Sequence, residues 1–192
     1  MKIAIVGAGP AGCHLAHLLA DSEHEILLFD HRVCPPHEVG YEKPCGGGLS
    51  PLVGQRFPDV LSLPFPRHRP LCVLLRASGG SQVEHALDSS DWAIVSRAEF
   101  GSALLERALA NGRLRYVQQR VTDVEQSGEG WSVHTAAAET FLADFLVGAD
   151  GVRSIVRRQV VGPIPRRHLG FAVGYQVRGA PDAIMFQTYA DL

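Results

Sequence analysis

The stretch Lys2-Ile3-Ala4-Ile5-Val6-Gly7-Ala8-Gly9-Pro10-Ala11-Gly12, followed by Glu25-Ile26-Leu27-Leu28-Phe29-Asp30, decides the fold of this chain. Lys2 to Val6 is a short apolar run of strand-forming character. The next six residues carry glycines in the order G-x-G-x-x-G, and a helical pattern through Leu15, Leu18 and Leu19 continues to about Ala20. Glu25 to Phe29 is a second apolar run, and it ends at Asp30, eighteen positions after Gly12. Both runs are apolar without alternation, which suits parallel strands covered on both faces. Strand, glycine turn, helix and a strand ending in a carboxylate together make a dinucleotide-binding unit. Gly7 permits the tight turn, Gly9 lets a pyrophosphate approach the backbone, and Gly12 lets the helix pack close to the strand. Amides at the helix start and the positive end of its dipole then face the phosphates. Asp30 is placed to accept hydrogen bonds from the adenosine ribose. This unit alone does not separate FAD from NAD(P), although a carboxylate at Asp30 disfavours the 2′-phosphate that Arg32 could otherwise meet.

Outward from this unit the texture changes. Cys34 to Leu71 is rich in Pro and Gly and reads as loop, with one short helix after Ser50. Leu71 to Arg76 and Gln82 to Leu87 flank a Ser-Gly-Gly-Ser turn and read as an antiparallel hairpin outside the parallel sheet. Ala98 to Asn111 carries Phe100, Leu104, Leu105 and Leu109 at helical spacing and stops at Gly112. Arg115 to Val124, Trp131 to Thr135 and Phe141 to Val147 read as three strands, the first two joined by a turn at Gly128 to Gly130. The third runs into Gly148-Ala149-Asp150-Gly151 and a short basic helix, Ser154 to Gln159. Leu169 to Val177 and Ile184 to Tyr189 are again strand-like.

Composition sets bounds on function. The chain has 192 residues, 46% hydrophobic and 20% charged, enough for a sizeable core in one or two domains. Eighteen Lys and Arg against 20 Asp and Glu, without a block of like charge, argue against nucleic acid as a partner. No apolar run approaches the ~20 residues of a membrane span, and the N-terminus shows no signal-peptide pattern, so a cytoplasmic protein is expected. The four cysteines, Cys13, Cys34, Cys45 and Cys72, have no metal-ligand spacing. His14 and His17 stand at i and i+3 without a third ligand, so no metal is expected.

Three segments together resemble the geranylgeranyl reductase family, within the wider class of flavoproteins related to p-hydroxybenzoate hydroxylase. They are Gly7 to Gly12, Lys43-Pro44-Cys45-Gly46-Gly47-Gly48-Leu49-Ser50-Pro51, and Gly148-Ala149-Asp150-Gly151-Val152-Arg153-Ser154. Val95-Ser96-Arg97-Ala98-Glu99-Phe100 resembles the family's Arg-x-x-Phe segment. The first and third motifs are shared by the hydroxylase class, whereas the cysteine-glycine loop narrows the match to prenyl reductases. The resemblance implies an α/β fold of Rossmann-like, FAD-binding type, mostly parallel with an antiparallel insertion, plus the start of a β-rich substrate domain. It divides the chain into an FAD-binding domain, 1–162, to whose partner 50–92 contributes, and the beginning of an incomplete substrate domain, 163–192.

The implied cofactor is FAD, held by Gly7, Gly9, Pro10, Ala11, Gly12, Asp30, His31, Arg32, Cys45, Gly46, Gly47, Gly48, Arg97, Val121, Asp150 and Gly151. Three successive glycines strip side chains from backbone that must pass a flat ring system, and the resemblance gives Cys45, just before them, a catalytic role toward substrate. The implied reaction is reduction of an isoprenoid carbon-carbon double bond, with NAD(P)H or a ferredoxin as electron donor. The protein would sit peripherally on a membrane if its substrate is a prenyl lipid. A flavin monooxygenase is the nearest alternative, and an inactive FAD-binding fragment another. Family members continue beyond the equivalent of Leu192, so the chain is expected to be a compromised enzyme by itself and to self-associate through its C-terminal strands.

Overall fold

The computed structural model describes residues 1–31, 45–70, 72–77, 80–87, 92–170 and 185–190. In chain order the elements are β1 (Lys2–Val6), α1 (Pro10–Leu18), β2 (Glu25–Phe29), β3 (Gly48–Leu49), α2 (Pro51–Arg56), α3 (Pro58–Leu61), β4 (Arg67–His68), β5 (Cys72–Ala77), β6 (Gln82–Ala86) and β7 (Ala93–Val95). They continue with α4 (Arg97–Leu109), β8 (Leu114–Val117), β9 (Val121–Ser127), β10 (Gly130–Thr135), β11 (Thr140–Ala143), β12 (Phe145–Gly148), α5 (Ile155–Val160), a 3-10 turn (Arg166–His168) and β13 (Met185–Ala190). The chain divides into two compact units, Met1–Val39 with Gly101–Phe171, and Gly40–Phe100 with Ala172–Leu192. No helix among the described residues is long and apolar enough to cross a membrane.

The first unit is built on a four-stranded sheet in the order β12-β1-β2-β8, every neighbouring pair parallel. Ala4, Ile5, Ile26 and Leu28 are fully buried, so β1 and β2 are covered on both faces as their unbroken apolar sequence requires. Helix α1 differs from the expected pattern. Leu18 points into solvent, and the buried residues are Gly12, Cys13 and Ala16. Small side chains let the helix axis come close to the sheet, so closeness rather than bulk sets this interface.

A three-stranded antiparallel sheet, β11-β10-β9, is inserted between β8 and β12, as the sequence suggested. Two strands expected to be continuous are each broken in two. The run from Arg115 to Val124 serves the parallel sheet as β8 and the insertion as β9, with a turn closed by Gln119 N–H donating to the Val117 carbonyl at 2.8 Å. The run from Phe141 to Val147 changes sheets at Asp144, whose N–H donates to the Lys2 carbonyl at 2.9 Å while its carboxylate accepts the Lys2 N–H at 2.6 Å. Val124, Val133, Ala143 and Val156 join Ala4, Val6, Leu27, Phe29 and Val117 in one apolar cluster, so the insertion, α5 and the parallel sheet share a core.

In the second unit the expected hairpin is β5 and β6, antiparallel, with β13 parallel to β5 on its other side. The strand expected from Ile184 to Tyr189 therefore has a partner within the chain. Most of the one expected from Leu169 to Val177 lies outside the described residues. A second small sheet, β3-β7-β4, runs antiparallel beside α2 and α3. Phe65 and Phe100 are buried edge to face at 5.2 Å and anchor this unit. Helix α4 starts at a local cap, Ser96 Oγ accepting the Glu99 N–H at 3.3 Å.

Candidate functional site

The strand order of the parallel sheet reverses at β1. From β1 the chain moves to β2 on one side, and only much later returns as β12 on the other. In open α/β sheets this switch opens a crevice at the carboxyl ends of the strands, where ligands bind. The loop after β1 is the glycine turn and the loop after β12 is Ala149-Asp150-Gly151, and the two lie against each other. A Cβ built on Gly7 would stand 2.5 Å from the Ala149 carbonyl oxygen and 2.8 Å from the Asp150 Cα. Gly7 also has φ +103, and its N–H donates to the Phe29 carbonyl at 2.8 Å. No other residue fits there.

The remaining glycines of the turn differ in the room around them. A Cβ on Gly12 would fall 1.9 Å from the Gly7 carbonyl oxygen, so α1 is packed to the limit against the turn. A Cβ on Gly9 would meet nothing within 4 Å among the described residues. The space beside Gly9 is left open by the fold, at the N-cap of α1, with Pro10 at the first helical position and Pro10 and Ala11 exposed. Amides of a first helical turn have no partner within the helix and a proline there forfeits nothing, so this end of α1 is a place for anionic oxygens.

Two side chains set the shape of the turn. Asp30, at the end of β2, accepts the Ala8 N–H at 2.8 Å through Oδ2, and its side chain is 9% exposed. Beside Oδ1, at 3.5 Å, stands the His31 ring nitrogen Nδ1. Asp30 is thus a brace for the glycine turn as well as the expected acceptor for a ribose. Buried Cys13 donates from Sγ to the Ala8 carbonyl at 3.1 Å, a contact that the sequence reading had not picked out. Any signal for it lay in its place one residue after Gly12, where a small side chain can reach back into the turn.

Across the crevice, Asp150 Oδ2 accepts the Ile155 N–H at 2.6 Å, and Ser154 Oγ accepts the Arg157 N–H at 2.9 Å to cap α5. The bland role of an Asp-Gly turn that anchors a helix is therefore met by one carboxylate oxygen. The other, Oδ1, is buried with no hydrogen-bond partner among the described residues. Leaving a carboxylate oxygen unpaired costs about 1–3 kcal/mol or more, so such an atom calls for an explanation. Gly151, at φ +78, is exposed. Val121 sits at the start of β9, opposite Thr135 of β10, with its side chain packed on the apolar cluster.

Within the second unit, Cys45 and Gly46 are exposed. Gly47 has φ +69, accepts a 3.0 Å hydrogen bond from the Val95 N–H, and leaves no room for a Cβ, which would stand 2.1 Å from the Val95 carbonyl oxygen. Gly48 pairs with Ile94. The glycine run is therefore fixed by a strand pairing and is not a loose loop. Arg97 opens α4 with its guanidinium carbon 5.6 Å from the centre of the Phe100 ring, and its Nε is buried with no hydrogen-bond partner among the described residues. Arg32, Lys43 and Pro44 lie outside the described residues. His14 and His17 hold their rings 6.5 Å apart, and among the described residues no group of three His, Cys, Asp or Glu gathers as for a metal.

These features fit an ADP-containing cofactor: an open backbone cradle at a helix start, a braced carboxylate at the end of β2, and an unpaired buried carboxylate oxygen across the switch point. Comparison with known proteins agrees. Residues 66–170 match the family model described as FAD binding domain, and residues 5–35 match that of the NAD(P)-binding Rossmann-like domain. The chain is similar to 3-hydroxybenzoate 6-hydroxylase of Klebsiella oxytoca, 25% identical over 86% of this chain and 44% of that protein. It is similar to digeranylgeranylglycerophospholipid reductase of Methanococcus vannielii, 26% identical over 80% of this chain and 39% of the relative. Among solved structures it resembles the Diels-Alderase PyrE3 of pyrroindomycin biosynthesis, with TM-score 0.65 and 26% identity over 82% of this chain and 34% of that one. The chain spans less than half the length of each of these relatives. Hydroxylase and monooxygenase names outnumber the reductase among the similar proteins, which broadens the resemblance read from the cysteine-glycine loop to the whole flavin oxidoreductase class.

Proposed function

The chain belongs to the FAD binding domain family, and from that premise we propose that it is the cofactor-holding part of a flavin-dependent oxidoreductase acting on a small, largely apolar molecule. The observation that carries this reading is the pair of loops at the switch point: the glycine turn, with open space beside Gly9, and the Asp150 turn packed on Gly7, where Oδ1 of Asp150 is buried and unpaired among the described residues. Bound FAD would supply reversible two-electron chemistry. The chain's own residues would bind and orient it. Gly9, Ala11 and Gly12 would present amides to the pyrophosphate, Asp30 would accept from the ribose with His31 beside it, and Asp150 would take up a donor group or a water from the cofactor side. We assign this work to the first unit, and contact with the substrate, through Cys45 to Gly48 and Arg97, to the second.

Of the chemistries open to this class we favour reduction of an isoprenoid carbon-carbon double bond, with electrons from NAD(P)H or a ferredoxin. The Cys45 loop supports it, since an exposed thiol beside backbone pinned by Gly47 can hold or give a proton at a fixed place. Hydroxylation is the second reading, favoured by the greater number of monooxygenases among the relatives. Titration of the apo-protein tests the first proposal, with FAD expected to bind tighter than NAD. Tighter binding of NAD would overturn it. Turnover with and without oxygen separates the chemistries: a saturated product formed anaerobically supports reduction, and strict need for oxygen with oxygen gained by the product supports hydroxylation.

A further inference from the structure

Residues 151–170 lie wholly in the first unit and differ in charge from the rest of the chain. They include five arginines and one histidine, no lysine, and none of the twenty Asp and Glu. Arg157 serves the fold, half-buried and donating from Nη1 to the Gly162 carbonyl at 2.5 Å, which closes the last turn of α5. Arg153, Arg158, Arg166, Arg167 and His168 are exposed. Between these arginines stand aliphatic side chains that the fold leaves outside: Val152 is 60% exposed, Val160 53% and Val161 81%.

Single exposed valines need no explanation, but three of them on one short segment that also exposes four arginines give that segment both apolar and cationic character. The segment is held in shape. Val161 and Gly162 both donate to the Arg157 carbonyl, Pro163 and Pro165 restrict the backbone that follows, and the 3-10 turn at Arg166–His168 is closed by hydrogen bonds of 2.9 and 3.0 Å. Positive charge with no carboxylate in the segment points to an anionic partner, and guanidinium groups suit phosphate oxygens. Protein interfaces favour aromatic residues and methionine, and residues 151–170 contain no Phe, Tyr, Trp or Met.

We infer that this segment is a docking surface for an anionic phospholipid bilayer. Arg153, Arg158, Arg166 and Arg167 engage headgroup phosphates, and Val152, Val160 and Val161 enter the boundary with the acyl chains. The inference stands apart from the choice between reduction and hydroxylation.

Vesicle flotation tests it, using the 192-residue protein loaded with FAD and vesicles of phosphatidylcholine with or without about 30% phosphatidylglycerol. The protein should float with the anionic vesicles at low salt, remain behind with neutral ones, and be released by about 0.5 M salt. Each arginine replaced by serine should lower partitioning about fivefold, and all four together at least a hundredfold. The pair Val160→Ser and Val161→Ser should lower partitioning while leaving its salt dependence in place. Arg→Lys at the same four positions should retain most of the binding, and unchanged melting curves show that each variant is folded. Failure to float with anionic vesicles overturns the inference, as does binding unaffected by the four serines. Arginine-dependent binding to an acidic protein such as a ferredoxin, with no binding to vesicles, also overturns it.

Discussion

An alanine at position 9 adds one methyl group at the N-cap of α1, and that methyl meets no atom of the described residues within 4 Å. The backbone there, φ −71 and ψ −178, is extended and open to alanine. Glycine is the better cap by up to about 1 kcal/mol, while alanine restricts the unfolded chain and returns about 0.4–1 kcal/mol. The two nearly cancel, so stability of the apo-protein should change by less than about 0.5 kcal/mol. The methyl would instead stand where a pyrophosphate must approach. Loss of even one charge-assisted amide contact, worth about 1.5–3 kcal/mol, should weaken FAD binding roughly 10- to 150-fold. Gly12→Ala is the opposite case. Its Cβ would lie 1.9 Å from the Gly7 carbonyl oxygen, where ordinary contact begins at 3.4 Å, so α1 must move off the sheet at a cost of about 1–3 kcal/mol or more. Urea denaturation of the apo-proteins and FAD titration by flavin fluorescence measure both quantities. Unchanged FAD affinity in Gly9→Ala, or a stability loss equal to that of Gly12→Ala, would refute this account of the cradle.

Asp150→Ala removes the acceptor of the Ile155 N–H and also the buried unpaired oxygen, two effects of similar size and opposite sign, so the apo-protein should shift by no more than about 1.5 kcal/mol while FAD affinity falls at least tenfold. Lost stability with full FAD affinity would leave Asp150 as a helix anchor alone. Gly47→Ala must accept φ +69 and a contact of 2.1 Å with the Val95 carbonyl, and should lower stability by about 2–4 kcal/mol in a thermal melt; an unmoved transition would count against the pinned loop. Cys45→Ser, tested in a protein that carries the whole substrate domain, should leave FAD affinity within about twofold and lower turnover of a prenyl substrate at least tenfold, because a hydroxyl is a far weaker acid than a thiol. Full turnover would assign Cys45 to packing.

The ADP-binding half of the fold could be read because its signals are local. Apolar runs without alternation mark buried parallel strands, and each of three glycines answers a separate geometric demand. The face of α1 was not legible from hydrophobicity, since Gly12 and Ala16 are buried for their smallness while Leu18, the more apolar residue, faces water. Nor could periodicity show the change of sheet at Asp144. Strands on both sides of it are equally extended, and what parts them is a pair of hydrogen bonds to Lys2, far away in sequence. For the candidate site, spacing identified Asp30 and Asp150 as positions. Their bracing bonds to Ala8 and Ile155, and the contact from Cys13, are tertiary facts that no motif contains.

The pairing of β1 with β12 joins residues such as Ile3 and Phe145 that are separated by most of the chain. Contacts of that span are entropically the slowest to form, whereas β1, α1 and β2 can assemble from neighbours. During synthesis the glycine turn therefore leaves the ribosome long before Asp150 exists to face it. Recognition of the cofactor becomes a late event in the life of the nascent chain, and dinucleotide bound at that stage would act as a clasp on the last strand of the sheet to arrive.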